Sequence, residues 1–286
     1  MDAAKEILNV FPPPIAEKIQ NSAAFRSGSL EEIRCRIGQS FLLMTSAGER
    51  ALEHEAVVSS ELDYIMERAS NYSIHTCENE MKAGYLHTSS GCRIGICGTV
   101  TETGLRSVSS LSIRIPHAVT GCAQPLLSKL LKNGMQSTLI ISPPGGGKTT
   151  LLRDLIRALS LRGYRVAVAD ERGELAAVHN RRTQFDLGPN TDVMTGGTKA
   201  HSCMMLLRSM NPQVLALDEI TDPKDVEAAK YAAGCGVALL ATAHAADAKS
   251  LQDRQLYRSL LRESIFTFAV EIRLAGSERV YQVVEL

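Results

Sequence analysis

The rhythm of apolar and polar positions changes near residues 116–136. Beyond that point, unbroken apolar runs at 137–142, 165–169, 214–217 and 237–241 alternate with segments of helical spacing at 149–161, 199–210 and 224–233. Within 149–161 the apolar residues Leu151, Leu152, Leu155, Ile156 and Leu159 share one face, and Gly163 closes the helix. Near-continuous apolar strands separated by helices predict a mainly parallel sheet covered on both faces. The tail follows another rule. Runs at 266–274 and 279–286, joined through Ala275-Gly276-Ser277, predict an antiparallel hairpin at the sheet edge.

Before the change the segments are short. Helical spacing at 4–10 stops at Pro12-Pro13-Pro14, and a second helix is predicted at 15–20. Runs at 32–37 and 41–44 around Gly38-Gln39-Ser40 predict a hairpin. Leu62, Ile65, Met66 and Ala69 predict a helix over 60–69 capped by Ser59 or Ser60. Strands follow at 84–88, 92–100 and 111–115, with Gly91, Gly98 and Gly104 at the bends. This is the pattern of a small α+β domain. At roughly 150 residues per domain, 286 residues accommodate two. The expected division is 1–118 and 119–286.

Composition narrows the function classes. With 31 Lys+Arg against 31 Asp+Glu and a pI near 7, bulk charge does not tie the chain to nucleic acid or an acidic membrane. Tryptophan is absent and aromatics are few, which argues against a base-stacking platform. No apolar run approaches the ~18 residues of a membrane span, and the start Met1-Asp2-Ala3-Ala4-Lys5-Glu6 lacks a secretory pattern. Seven cysteines, odd in number and without C-x-x-C or zinc spacing, read as reduced thiols. A cytoplasmic chain is expected.

Chemistry concentrates at the ends of the apolar strands. Ser142-Pro143-Pro144-Gly145-Gly146-Gly147-Lys148-Thr149-Thr150 lies between a strand and an amphipathic helix, where a phosphate loop belongs. From Pro144 onward the loop would wrap a phosphate with the backbone N–H groups of Gly145, Gly146, Gly147, Lys148, Thr149 and Thr150, helped by the helix N-terminus. Lys148 would reach the β- and γ-phosphates of ATP, and Thr149 would place its hydroxyl on Mg²⁺. The full pattern has Gly where this chain has Ser142.

Three other strands end in reactive groups, as ligand sites in open α/β sheets do. One ends in Asp218-Glu219: Asp218 would hold the hydration shell of Mg²⁺, and Glu219 would orient or deprotonate water. Another ends in Asp170-Glu171-Arg172-Gly173-Glu174, which reads either as part of the site or as a solvated loop pairing with Arg172. The third ends in Thr242-Ala243-His244, where His244 reads equally as a hydrogen-bonded structural histidine. Arg208 stands at the end of an apolar run, Met204 to Leu207, where burial of an unpaired guanidinium would be costly.

The ordered set resembles the ATPases of type II and type IV secretion and type IV pilus systems: phosphate loop, D-E-R-G-E-L, L-L-R-S-M-N-P, a strand with terminal acids, A-T-A-H-A-A-D. More narrowly, E-E-I-R-C-R-I-G, G-Y-L-H-T-S-S-G-C-R-I-G-I-C-G, S-I-R-I-P and I-S-P-P-G-G-G-K-T-T-L-L-R-D resemble the stage III sporulation AA family. The motifs run from about Glu31 to the C-terminal hairpin. The resemblance implies an α/β fold, a RecA-like P-loop NTPase core preceded by a smaller α+β domain, and Mg-dependent ATP hydrolysis. It implies that Asp170, Glu171 and Glu174 form an acidic box positioning metal and water, that Glu219 is the glutamate of the second acidic motif, and that His244 senses nucleotide, with Thr242 beside it. Asp218 stands where the secretion families carry Gly, and Thr221-Asp222 where Arg-Asp is common.

The resemblance further implies a homo-oligomer, a hexameric ring in which the N-terminal domain touches the neighbour's nucleotide. Arg93 and Arg114 are then candidates for a role in trans, alongside a structural role within their strands. The implied partner is a polytopic membrane platform protein, with peripheral attachment at the cytoplasmic face, on the mother-cell side of a forespore channel. No nucleic acid partner is expected. Two other classes stay open at this point: a nucleic-acid motor on the same core, and a nucleotide-binding scaffold without turnover.

Overall fold

The structure, a computed structural model, describes residues 3–70, 81–82, 84–88, 91–101, 104–115, 119–178, 181–275 and 278–286. It divides into two compact units, Met1–His117 with Ala177–Gln184, and Ala118–Ala176 with Phe185–Leu286.

In the first unit, helices α1 (Ala3–Ile7), α2 (Pro13–Asn21), α3 (Ala23–Arg26) and α4 (Ser59–Ala69) accompany a sheet. Its strands are β1 (Glu32–Arg36), β2 (Leu42–Thr45), β3 (Gly48–Ala51), β4 (Tyr85–His87), β5 (Arg93–Thr101) and β6 (Gly104–Arg114). Among the described residues the order is β3-β2-β1-β6-β5-β4, every pairing antiparallel. Ile33, Cys35, Leu86, Ile94, Leu111 and Ile113 point into a core shared with Ile15, Ile19, Leu62 and Ile65. Alternation then puts Arg34, Arg36, Arg93, Ser112 and Arg114 on the opposite face.

Two local expectations are corrected here. Pro13 and Pro14 open α2 instead of merely preceding it, because a missing N–H costs nothing in a first helical turn. Helix α4 is entered from Val58, whose N–H donates to the Glu61 carboxylate at 3.0 Å, so neither Ser59 nor Ser60 is the cap. Segment 177–184 packs with this unit at Gly91, where an added Cβ would lie 3.0 Å from Ala177 Cβ and 3.3 Å from Gln184 Cβ.

The second unit contains α5 (Gln124–Leu130), β7 (Thr138–Ser142), α6 (Lys148–Ser160), β8 (Val166–Asp170), β9 (Thr191–Thr195), α7 (Lys199–Ser209) and β10 (Val214–Glu219). There follow α8 (Pro223–Gly234), β11 (Ala238–His244), α9 (Ala248–Gln252), α10 (Gln255–Arg262), β12 (Phe268–Ala275) and β13 (Glu278–Glu285). The sheet order among the described residues is β13-β12-β7-β11-β10-β8-β9. Strands β12 through β9 run parallel, and β13 returns antiparallel at the edge, as the tail pattern predicts. Strands β7 and β8 are buried at every residue. One sheet face packs on α7, α8 and α10 through Cys203, Leu206, Ala229, Ala232, Tyr257 and Leu260. Helix α6 covers the other through Leu151, Leu152, Leu155 and Leu159. The edge strand β9, half-buried at best and mostly polar, carries no apolar run that the sequence pattern could show.

Removing a fully enclosed side chain from the first sheet tests which face is the core. Ile33→Ala should cost about 2–5 kcal/mol in urea unfolding; a loss below ~1 kcal/mol would contradict the assignment.

Candidate functional site

Strand β7 delivers the chain to the loop, and α6 leaves it at Lys148. The loop turns through Gly145 (φ +75°) and Gly147 (φ +98°), conformations that cost a side chain about 1 kcal/mol or more. Gly147 N-caps α6, and Leu151 N–H reaches Gly147 O at 3.0 Å. Gly146 is required for space: an added Cβ would sit 2.2 Å from Ser142 Oγ and 2.7 Å from Ser142 Cβ. Ser142 therefore occupies the hollow under the loop, its hydroxyl donating to Pro143 O at 2.9 Å. Pro144 and Gly145 are exposed, while Thr149 and Thr150 are half-buried in the first turn of α6.

Lys148 is buried, and its ammonium donates to Ser142 O (3.1 Å), Pro143 O (3.3 Å) and His244 Nδ1 (2.7 Å). Burial lowers its pKa, opposed by the charges of Glu219 and Asp218. His244 is brought there by register, being paired with Ser142 across β11 and β7. Its Nε2 lies 3.1 Å from Glu219 Oε2. With Nδ1 accepting from the ammonium, Nε2 carries the hydrogen toward Glu219. Ammonium, imidazole and carboxylate form one chain.

Consecutive residues of a regular strand point to opposite faces. A register shift between Leu217 and Glu219 breaks that alternation at the end of β10. Glu219 turns to His244, while Asp218 accepts from Thr242 Oγ1 at 3.3 Å. Desolvation by burial, then the charges of Glu174 and Asp170, push the Asp218 pKa up to about 6, against the Thr242 hydrogen bond and Lys199. Asp218 and Thr242 thus belong together, and Glu219 and His244 belong with Lys148.

The acidic box divides. Asp170, buried, accepts Leu175 N–H (3.2 Å) and Ala176 N–H (2.8 Å), which folds the loop back onto the end of β8. Burial foremost raises its pKa. Arg153 of α6 completes that loop: its guanidinium donates to Leu175 O (3.0 Å) and Glu174 O (2.7 Å) and lies 3.7 Å over the Phe185 ring. Burial lowers its pKa to about 10. Glu171 pairs instead with Lys199 at 3.3 Å. Lys199, itself buried, also meets Asp225 (3.4 Å) and Thr221 Oγ1 (3.3 Å).

Arg208 is exposed on α7, so the burial cost expected of it does not arise; the apolar run before it turns its Met205 outward as well. Arg93 and Arg114 line a cleft of about 340 Å³ on the open face of the first sheet, together with Arg34 and Arg36. The Arg93 guanidinium lies 4.3 Å over the Tyr85 ring. Arg114, 67% exposed, has Glu32 Oε2 at 4.0 Å.

Arg153, Lys199 and Arg279, whose Nε donates to Gly146 O at 3.2 Å, escape the sequence reading. One signal was available: Lys199 starts a helix behind the cap Thr198, where a cation opposes the helix dipole and needs acids nearby.

The profile of the family described as sporulation stage III, protein AA matches residues 1–281. The chain belongs to that family. Stage III sporulation protein AA of Bacillus subtilis is 35% identical over 289 residues, covering 97% of this chain and 94% of that protein. Among solved structures, the pilus retraction motor PilT with bound ADP is similar at TM-score 0.67 and 16% identity, over 95% of this chain and 82% of that one. The Legionella pneumophila ATPase DotB is similar at TM-score 0.60 and 15% identity, over 90% and 76%. These likenesses establish the fold of this family member as the RecA-like α/β fold of those two proteins.

Two outcomes are expected. Gly146→Ala should destabilise the protein by about 1–3 kcal/mol, and Ser142→Gly in the same chain should restore most of it; additive losses in a denaturation cycle would refute the contact. Asp218 has its folded-state pKa raised from 3.8 to about 6, so its stabilising contribution is complete below 3.8 and disappears as pH rises through 6. Asp218→Asn should therefore melt higher than wild type above pH 6 without divalent cations and lose that advantage below pH 4; a pH-independent difference would refute the shift.

Proposed function

We propose that this protein is a Mg-dependent ATPase working as a hexameric ring that powers or assembles a membrane-embedded, secretion-like channel between mother cell and forespore. The observation that carries the reading is Lys148, a buried ammonium at the head of α6 held by two carbonyls and an imidazole. Those three partners are neutral, so triphosphate oxygens would offer the ammonium a stronger, charge-assisted set. Beyond Pro144, the N–H groups of residues 145–149 would cradle the phosphates, and Thr150 would follow in the same turn.

The donor set beside the loop fits Mg²⁺. Thr149 and Asp218 offer oxygen, and the Asp218 carboxylate, disfavoured first by burial and then by the charges of Glu174 and Asp170, would be relieved by a cation. Bound there, Mg²⁺ would neutralise charge developing on the phosphates. Asp170 and Glu174 would hold the loop that flanks it, and Glu171 would act through Lys199. Glu219 is the proposed base. Its orientation depends on His244, and His244 on Lys148, so withdrawal of the ammonium toward a nucleotide would change what holds the carboxylate. Thr242 would report the same event to Asp218.

The N-terminal unit, residues 1–118 in this reading, would supply ring and partner contacts. Its four-arginine cleft suits phosphate on a neighbouring subunit, with Arg93 and Arg114 as the residues in trans and Arg208 as an exposed alternative. Among the described residues no helix is long and apolar enough to cross a membrane. Peripheral attachment at the cytoplasmic face, through a polytopic platform protein, is part of the proposal, and neutral overall charge favours that partner over nucleic acid.

Phosphate release should require Mg²⁺, and Lys148→Ala should reduce it about a hundredfold or more. Particle mass should rise toward a hexamer with ATP and Mg²⁺. Unchanged turnover in Lys148→Ala would reject the mechanism, and binding without phosphate release would make the protein a scaffold.

A further inference from the structure

The C-terminal hairpin does more than close the sheet edge. Strand β12 pairs with β7, the strand that launches the phosphate loop, at Phe268↔Thr138 through Glu271↔Ile141. Strand β13 pairs back on β12, with Arg279 opposite Leu274. The backbone carrying Arg279 is thus tied by two ladders to the backbone carrying the loop. From there its side chain runs along the loop: Nε donates to Gly146 O at 3.2 Å, and an added Cβ at Gly147 would lie 2.8 Å from Nε and 3.2 Å from Cδ. Gly147 is glycine because of its φ of +98°, and the Arg279 side chain lies alongside it.

A trans peptide is planar, with its C=O and the following N–H on opposite sides. Fixing Gly146 O toward Arg279 therefore fixes Gly147 N–H away from it. That N–H has no acceptor among the described residues, as expected in the first turn of a helix. A charged donor on the carbonyl also polarises the amide and strengthens it as a donor.

We infer that Arg279 is a positioning residue of the phosphate loop, holding the Gly146–Gly147 peptide in the orientation that presents an N–H to a phosphate oxygen. The inference rests on the reading of residues 144–149 as that loop. It makes the C-terminal hairpin part of the nucleotide site in the same chain, separately from any arginine supplied by a neighbour.

The test measures affinities of full-length wild type, Arg279→Ala, Arg279→Lys and Lys148→Ala for MgATP and for inorganic tripolyphosphate, together with melting without ligand. Arg279→Ala should weaken both ligands by the same factor, about tenfold, with melting unchanged, and Arg279→Lys should recover part of the loss. Equal loss for a ligand without base or sugar is the signature of the loop. Affinities within about twofold of wild type would overturn the inference, since an oriented amide is worth more than that. So would loss confined to MgATP, which would place Arg279 against base or ribose, or a large fall in ligand-free melting, which would make its role structural. If Lys148→Ala binds both ligands as wild type does, the phosphate-loop reading itself fails, and the Arg279 inference fails with it.

Discussion

An ammonium buried at position 148 must find partners inside the protein, and the arrangement of the second unit answers that requirement. Two carbonyls come from the loop itself, but the third partner, His244, comes from the neighbouring strand and is there only because β11 and β7 run parallel in a register that sets His244 beside Ser142. The same imidazole then holds Glu219, which the irregular end of β10 has turned toward it. Residues from three strand ends and one helix start are joined by one proton-carrying chain. Of the three, Lys148 is the buried one, so loss of its own partners is the costly break, at about 1–3 kcal/mol.

The remaining acids are handled by separate means. Asp170 spends both oxygens on backbone amides, Glu171 is matched by Lys199, and Asp218 is left with a hydroxyl and a crowd of like charges. Acids that are adjacent in sequence thus have different tasks. Asp170 and Glu171 differ in a single residue number yet one secures a loop and the other answers a cation on α7. Arg153 closes the arrangement from α6 by binding the carbonyls of the acidic segment.

The alternation of buried strands and amphipathic helices made the parallel sheet, the edge hairpin and the loop between β7 and α6 legible from sequence, because burial on both faces leaves unbroken apolar runs. Lys148 was legible at the head of a helix and Glu219 and His244 at strand ends, but their contact was not, since register between distant strands leaves no local trace. The shift in β10 has no sequence mark for the same reason. Arg153 hides within a helix whose periodicity is satisfied without it, and Arg279 sits in a hairpin whose pattern predicts only pairing. Arg208 misled because neighbouring apolar residues suggested burial, whereas it lies on the side of α7 that faces away from the sheet. The edge strand β9 lacks an apolar run altogether.

The excursion of residues 177–184 has a practical bearing on how the chain can be divided. The polypeptide passes between its two units at 117/118, at 176/177 and again at 184/185, so the first unit is discontinuous in sequence. A fragment ended after the N-terminal strands would lack the wall that Ala177 and Gln184 place against Gly91. Excised pieces intended for crystallisation or for exchange between relatives would need that stretch grafted in, or would expose a surface that the intact polypeptide keeps covered.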